Sequence, residues 1–112
     1  MRAMKNMKLL KIYLGEADVC KGKPMAEHIV KMCYDHGIKG ATVCKGTLGY
    51  GEKRHIHRSD FFSLSGDLPV IVEIVDEDDK IQRLIEDIRK LPFDGLIVII
   101  DVKAEHIRFK EE

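Results

Sequence analysis

The same order of patterns, strand then helix then strand, occurs twice in this 112-residue chain, and that repetition restricts the possible folds most. In the first half, Lys8 to Leu14 alternates with the period of a pleated strand. Apolar residues then recur at helical spacing from Met25 to His36, and Gly37 suits the position just past a helix end. The segment from Gly40 to Lys45 predicts a second, short strand.

The second half repeats this order. Leu68 to Val75 is rich in β-branched residues and predicts a third strand. Asp76 suits the N-cap of a helix with one apolar stripe, formed by Ile81, Leu84, Ile85 and Ile88. Leu96 to Val102 predicts the fourth strand. Two such halves predict an α+β ferredoxin-like sandwich, β-α-β-β-α-β, with an antiparallel sheet and both helices on one face.

Composition supports one folded domain. The apolar fraction is 45%, and 19 basic side chains balance 19 acidic ones, so overall charge favours neither nucleic acid nor a membrane surface. We expect a flexible tail over residues 1–6 and a single domain over 7–112. Three cysteines without a C-x-x-C spacing indicate reduced thiols and a cytoplasmic protein. No apolar run is long enough for membrane insertion.

The fourth strand suggests that the chain assembles with itself. Leu96 to Ile100 is apolar on both faces, and Ile71 and Val75 fall opposite the core face of the third strand. Two helices cannot cover both faces of the sheet, so we predict a homo-oligomer. Alternatively, the C-terminal segment His106 to Lys110 folds back over part of that face or adds an edge strand.

A long connection over residues 46–67 separates the second and third strands, where hairpin loops usually have about 2–5 residues. Such a loop is usually functional. It begins with Lys45, Gly46, Gly49 and Gly51, a pattern whose backbone N–H groups can turn toward an anion. Glycines that only allow a sharp hairpin turn are the alternative interpretation.

A basic segment follows these glycines. Lys53, Arg54 and Arg58 could bind phosphate or dock an acidic partner, or could lie on a solvated loop tip. His55 and His57 have the spacing of one strand face and could hold a metal together with Asp60, although the neighbouring cations oppose metal binding.

The loop makes the sequence recognisable. Gly46-x-x-Gly49-Tyr50-Gly51 precedes a segment beginning Lys53-Arg54-His55, and Asp67 to Asp76 reads Asp-Leu-Pro-Val-Ile-Val-Glu-Ile-Val-Asp. From about Met7 to Val102 the chain resembles an uncharacterised conserved prokaryotic family, known as domain of unknown function one-ninety or uncharacterised protein family zero-one-six-six. That family is similar to the PII signalling proteins, which are trimers with a long loop after the second strand.

The resemblance implies a non-enzymatic regulator without a cofactor. It implies a trimer that senses a small anionic effector, such as an adenine nucleotide, between subunits and presents its loop to a transporter, channel or enzyme. The matching ligand-binding positions are Lys45, Gly46, Gly49, Gly51, Lys53, Arg54 and Arg58. One feature departs from PII proteins, because Leu91 to Gly95 contains neither a glycine-rich loop nor a lysine. Lys21-Gly22-Lys23 offers other phosphate contacts, or is a solvated turn.

Other function classes fit less well. Acylphosphatases share this fold type but need an arginine after the first strand, and Gly15 to Pro24 contains none. No catalytic set of side chains stands out, so an enzyme acting on a phosphorylated substrate is an alternative rather than the leading hypothesis. RNA-binding domains of this topology stack bases on aromatic residues of the third strand, and Val70 to Ile74 has none.

Overall fold

The computed structural model describes residues 3–51, 57–58 and 67–109, with the backbone alone for 57–58. Within these residues the elements follow in chain order as β1 (Lys5–Gly15), β2 (Val19–Cys20), β3 (Lys23–Pro24), α1 (Met25–Asp35), β4 (Thr42–Lys45), β5 (Leu48–Gly49), β6 (His57–Arg58), β7 (Pro69–Asp76), α2 (Asp78–Ile88) and β8 (Leu96–Ala104).

The main sheet has the order β4-β7-β1-β8, and each neighbouring pair is antiparallel. These four long strands and the two helices reproduce the predicted β-α-β-β-α-β order, so the ferredoxin-like fold is confirmed. The strand β1 starts at Lys5 instead of Lys8, because Lys5 and Asn6 pair with Ala104 and Lys103 of β8. Part of the segment expected to be a flexible tail is therefore in the sheet.

One face of the sheet packs against both helices. Alternate residues of β1 and β7, such as Leu10, Ile12 and Val72, are buried there together with side chains from the helices. The buried core comprises Leu10, Ile12, Leu14, Cys20, Met25, Ile29, Cys33, Ile38, Val70, Val72, Ile74, Ile81, Leu84, Ile85 and Ile88. Burial raises the pKa of the Cys33 thiol to about 11, because the apolar surroundings disfavour the thiolate. Cys33 is thus a packing residue rather than a nucleophile.

Local sequence explains where each helix begins and ends. Pro24 is the N-cap of α1, and Gly37 follows its end with φ of +74°, a conformation that glycine adopts without strain. Glu77, rather than the predicted Asp76, is the N-cap of α2. Acidic residues occupy the first turn of α2, where they favour the positive end of the helix dipole.

The opposite face of the sheet, which we call the open face, carries no helix among the residues that the structure describes. Its residues are the remaining alternate positions of the three long strands, namely Leu9, Lys11, Tyr13, Ile71, Glu73, Val75, Leu96, Val98 and Ile100. Leu96 and Ile100 remain 59% and 41% exposed, because β8 is an edge strand. Ile107 and Phe109 are also exposed. The alternative prediction, that the C-terminal segment folds back over this face, is therefore wrong for residues 106–109.

None of the helices within the described ranges is both long and apolar enough to cross a membrane.

Candidate functional site

The long loop leaves the sheet where three segments end together, and we call this region the loop base. It consists of residues 15–18 at and after the end of β1, residues 45–51 at and after the end of β4, and residues 67–69 just before and at the start of β7. The antiparallel register brings them together, because Gly15 pairs with Pro69 and Lys45 pairs with Val70. Sequence analysis named only the second of these segments as a site.

Hydrogen bonds join the three segments of the loop base to one another. The Glu16 N–H donates to the Leu68 carbonyl at 2.8 Å, and the Gly46 N–H donates to the Pro69 carbonyl at 2.7 Å. The Ala17 N–H donates to Asp67 Oδ1 at 2.9 Å, so a side chain just before β7 also binds the turn after β1. Both ends of the long loop are therefore anchored to the sheet or to its first turn.

Lys45 is the last residue of β4, and its ammonium group forms an ion pair with the Glu16 carboxylate. The Lys45 side chain is more than half exposed, whereas that of Glu16 is half-buried. The predicted ligand-binding lysine is thus placed at the loop base and already engaged by a carboxylate of its own chain. An external anion would compete with Glu16 for Lys45.

Close packing against Pro69 explains two of the three glycines in the predicted ligand-binding pattern. A Cβ on Gly46 would lie 2.8 Å from Cγ of Pro69, and one on Gly49 would lie 3.1 Å from the same atom. Gly51 has open space around it. The Gly46 N–H is already bonded to Pro69, and none of the three glycines has a positive φ. Two of them therefore let the loop pass close to Pro69, which favours the structural interpretation over an anion-binding nest.

The charges of the described loop base are mostly negative. The part of the loop base that the structure describes carries three carboxylates, Glu16, Asp18 and Asp67, and one cation, Lys45. Asp18 Oδ2 accepts the Gly15 N–H at 2.8 Å, so this carboxylate belongs to the turn. Attraction of an anion would therefore depend on the basic segment of the loop as well as on Lys45.

Most of that basic segment lies outside the described residues. Lys53, Arg54 and His55 fall there, as does Asp60 of the hypothetical metal site. For His57 and Arg58 the backbone forms β6, which pairs with β5 and extends the loop as a two-stranded ribbon. Among residues 3–51 and 67–109, no three His, Cys, Asp or Glu side chains are grouped so that they could hold a metal ion.

A small hairpin beside the loop base was not predicted. The strands β2 and β3 pair around Lys21 and Gly22, which have φ of +53° and +80°. Two consecutive positive φ values define a tight hairpin turn, and glycine at its second position is the usual sequence signal. This hairpin displays Lys21 and Lys23 as exposed cations just before α1. The Met25 N–H at the start of α1 is already bonded to the Asp18 carbonyl at 2.7 Å.

Solved structures with a similar fold include PII-like proteins. CPII of Thiomonas intermedia, bound to ADP and bicarbonate, superposes with a TM-score of 0.70 over 91% of each chain at 16% identity. A putative PII-like signaling protein of Thermus thermophilus gives a TM-score of 0.67 at 13% identity, over 92% of this chain and 93% of that one. At such low identity these similarities establish the fold alone.

Proteins found by sequence comparison share a higher identity with this chain than these solved structures do. A UPF0166 protein of Aquifex aeolicus is 38% identical over 107 residues, which cover 96% of this chain and all of that protein. Another UPF0166 protein, from Methanocaldococcus jannaschii, is 45% identical over 95 residues, covering 84% of this chain and 87% of the relative. Residues 7–104 match the family DUF190, described as an uncharacterized ACR. This chain therefore belongs to the DUF190 (UPF0166) family, and its fold is PII-like.

Proposed function

We propose that this protein is a non-enzymatic, PII-like regulatory protein that senses a small anionic ligand at the loop base and presents its long loop to a partner protein. An adenine nucleotide is the leading ligand, because a protein of the same fold has been solved with ADP and bicarbonate bound. The proposed ligand contacts are the side chains of Lys45, Lys53, Arg54 and Arg58, and the segment with Gly46, Gly49 and Gly51 shapes the loop base around them.

The ion pair between Lys45 and Glu16 supports this proposal most directly. It joins the end of β4, where the long loop starts, to the turn after β1. A phosphate or carboxylate that binds Lys45 replaces the Glu16 carboxylate and thereby changes how the loop is attached to the sheet. Ligand binding and loop position are coupled in this scheme, because the ligand binds preferentially to one of two arrangements of Lys45.

A homo-oligomer, specifically a trimer, is part of the proposal. The open face is mostly apolar, and neither helix of the described chain covers it. Burying it against further copies would remove Leu96 and Ile100 from water, which favours assembly by about 25 cal/mol for each Å² of apolar surface. Clefts between copies would then lie beside the loop bases, where a ligand could contact two chains.

Thermal unfolding against a ligand panel tests the proposed function. ADP, AMP, ATP, bicarbonate, inorganic phosphate and divalent metals with a chelator control are compared at fixed protein concentration. A ligand at about 100 times its Kd stabilises the native state by about 2.7 kcal/mol, which raises the midpoint by several degrees. The metal arm also tests the alternative site at His55 and His57.

Variants show whether a shift arises at the loop base. Lys45→Ala, and Arg54→Ala combined with Arg58→Ala, should each reduce the ligand-induced shift. Lys31→Ala is the matched control, because Lys31 is an exposed cation on α1 that pairs with Asp35 one turn away on the same helix. Absence of a shift with every ligand, or an equal loss in Lys31→Ala, would contradict the proposed anion site.

A further inference from the structure

The two peptide groups that flank the Cα atom of Glu16 are both hydrogen-bonded to the segment just before β7. The N–H of Glu16 donates to the Leu68 carbonyl at 2.8 Å. The next N–H along the chain, that of Ala17, donates to Asp67 Oδ1 at 2.9 Å. Because both peptide planes are held, the backbone dihedrals of Glu16 are restricted, and these dihedrals limit the directions that its side chain can take. The position of the Glu16 carboxylate therefore depends on residues 67–68.

This placement matters because one oxygen of the Glu16 carboxylate is buried. Oε2 of Glu16 is closed off from solvent and accepts no hydrogen bond of good geometry from the residues that the structure describes. The Lys45 ammonium group forms an ion pair with the same oxygen. A buried carboxylate oxygen is costly unless a positive charge compensates it. The pair with Lys45 therefore compensates this oxygen only while the Glu16 side chain keeps its present direction.

Asp67 is placed by close packing as well as by its hydrogen bond. A Cβ on Gly15 would lie 2.5 Å from Asp67 Oδ1, so the carboxylate occupies the space that a larger residue at position 15 would need. Gly15 is held on its own side, because its N–H donates to Asp18 Oδ2 at 2.8 Å and it pairs with Pro69 in the sheet. Gly15 thus leaves room for the Asp67 carboxylate beside the turn after β1.

Glu16 connects the two ends of the long loop. Residues 67–68 are the last residues before β7 and hold Glu16 by its backbone, whereas Glu16 holds Lys45, the last residue of β4, by its carboxylate. Loss of the Asp67 acceptor would free one of the two peptide planes, and the Glu16 side chain could then leave Lys45 for water. A lysine ammonium group without its carboxylate partner is more available to an external anion.

We propose that Asp67 is a positioning residue of the loop base. By accepting the Ala17 N–H, it holds Glu16 in the direction that pairs with Lys45, and it thereby weakens the binding of an external anion at Lys45. The first half of this proposal concerns contacts within the chain alone, and the second half rests on the proposed anion-sensing function. The ligand concerned carries a phosphate or carboxylate group, because Lys45 presents an ammonium group to it.

Carbodiimide cross-linking tests the positioning role without any ligand. The reagent joins a carboxylate to an amine that is in contact with it, and peptide mass spectrometry measures the yield of the link between Glu16 and Lys45. Asp67→Ala should lower this yield at least about threefold, the effect of losing an ion pair of ordinary strength. The internal reference is the link between Lys8 and Asp101, an ion pair at the start of β1, whose yield should not change.

Two further variants separate the hydrogen bond from the charge of Asp67. Asp67→Asn is the matched control, because its amide oxygen can still accept the Ala17 N–H, and it should keep the wild-type yield. Gly15→Ala should lower the yield as Asp67→Ala does, because its methyl group displaces the carboxylate without removing the charge, and it replaces Asp67→Ala if that variant folds poorly. An unchanged yield in either folded variant, an equal loss in Asp67→Asn, or an equal fall of the reference link would overturn the proposal.

Calorimetric titration with ADP and with inorganic phosphate tests the second half of the proposal. For a probe that binds the wild type, the Kd should fall about threefold in Asp67→Ala and in Gly15→Ala, and Asp67→Asn should stay close to the wild-type value. A Kd that rises or stays the same in Asp67→Ala would overturn the effect of Asp67 on anion binding. If neither probe binds any of these proteins, the proposed anion site is contradicted, and the cross-linking yields still decide whether Asp67 positions Glu16.

Discussion

Asp76 shows how one buried carboxylate joins two parts of the fold. It is only 2% exposed, although it stands among the acidic residues that precede α2. Its oxygens accept the Lys39 N–H at 3.0 Å and the Glu77 N–H at 2.7 Å. Asp76 therefore connects the chain after α1 to the start of α2, with the Lys80 ammonium 4.0 Å away.

Replacing Asp76 should be among the more damaging single changes. Asp76→Ala removes a buried carboxylate that accepts the Lys39 and Glu77 N–H groups in part-buried hydrogen bonds, and we expect a loss of about 1–3 kcal/mol in the free energy of unfolding. Urea unfolding measures this loss. Glu86→Ala is the control, because its pair with Arg89 is exposed on α2 and its removal should change stability by less than about 0.5 kcal/mol. Equal stability of the two variants would show that the Asp76 contacts are not needed.

Gly46 is a second residue at which one close contact determines how much a substitution lowers the stability of the fold. Gly46→Ala would place a methyl group 2.8 Å from the rigid Pro69 ring, and we expect a loss of about 1–3 kcal/mol in stability. Gly51→Ala is the matched control in the same loop, because nothing lies within 4 Å of its Cβ position. Thermal unfolding compares them. A Gly46→Ala protein as stable as Gly51→Ala would argue against the steric role of Gly46.

At the scale of elements, the pairing of β1 with β8 combines backbone register with a charged contact. Lys8 pairs with Asp101 in the register, and their side chains form an ion pair. The hydrogen bond to Asp101 raises the pKa of Lys8 above its ordinary value of 10.5. The charged form of Lys8 is therefore favoured by folding.

This contact makes a pH-dependent contribution to stability. Because the folded pKa of Lys8 is raised, the contribution is complete below about pH 10.5 and decreases as the pH rises through the folded pKa. The difference in unfolding midpoint between wild type and Asp101→Asn should thus be larger near pH ~9 than near pH ~12. Lys8→Arg should keep the contact at both values, since guanidinium does not titrate there. A difference that stays constant with pH would refute this account.

The sequence predicted the long elements and missed the short ones for a physical reason. The strands β7 and β8 are rich in apolar residues, and both helices have apolar residues at helical spacing. Alternate residues of β7 and one face of each helix are buried in the core, and Ile97 of β8 packs against it. The pair β2–β3 has two residues in each strand, too few for any periodicity, and only Gly22 in its turn gave a signal. The extra residues at the start of β1 are polar, and their pairing with β8 gave no pattern to detect.

At the scale of the whole molecule, the apolar open face predicts that copies of the chain assemble through it. Ile100→Asp puts a charge on this face without touching the helix-covered core, so it should lower the particle mass measured by light scattering if copies meet there. Tyr34→Asp is the matched control, because Tyr34 is a large exposed residue on α1. We expect the control to keep the wild-type mass. A wild-type mass for Ile100→Asp would rule out this face as the interface.

Sequence analysis identified only part of the loop base. The glycine and lysine pattern singled out residues 45–51, and the structure places Lys45 beside Glu16 at the loop base. A ligand-binding role for these residues stays a prediction. Glu16, Asp18 and Asp67 gave no signal, because they are distant in sequence or form an ordinary acidic turn, and only the pairing of β1, β4 and β7 brings them together. The roles proposed for Lys53, Arg54 and Arg58 stay predictions.

The sequence by itself determined the fold class, the order of the long elements and the presence of apolar residues on both faces of the sheet. These features depend on local periodicity, which the burial of one face imposes directly on neighbouring residues. The tertiary structure alone decided that Lys45 binds Glu16, that Gly46 and Gly49 make room for Pro69, and that Asp76 is buried. Each of these contacts joins segments far apart in the chain, and their meeting depends on strand order and register rather than on any local pattern.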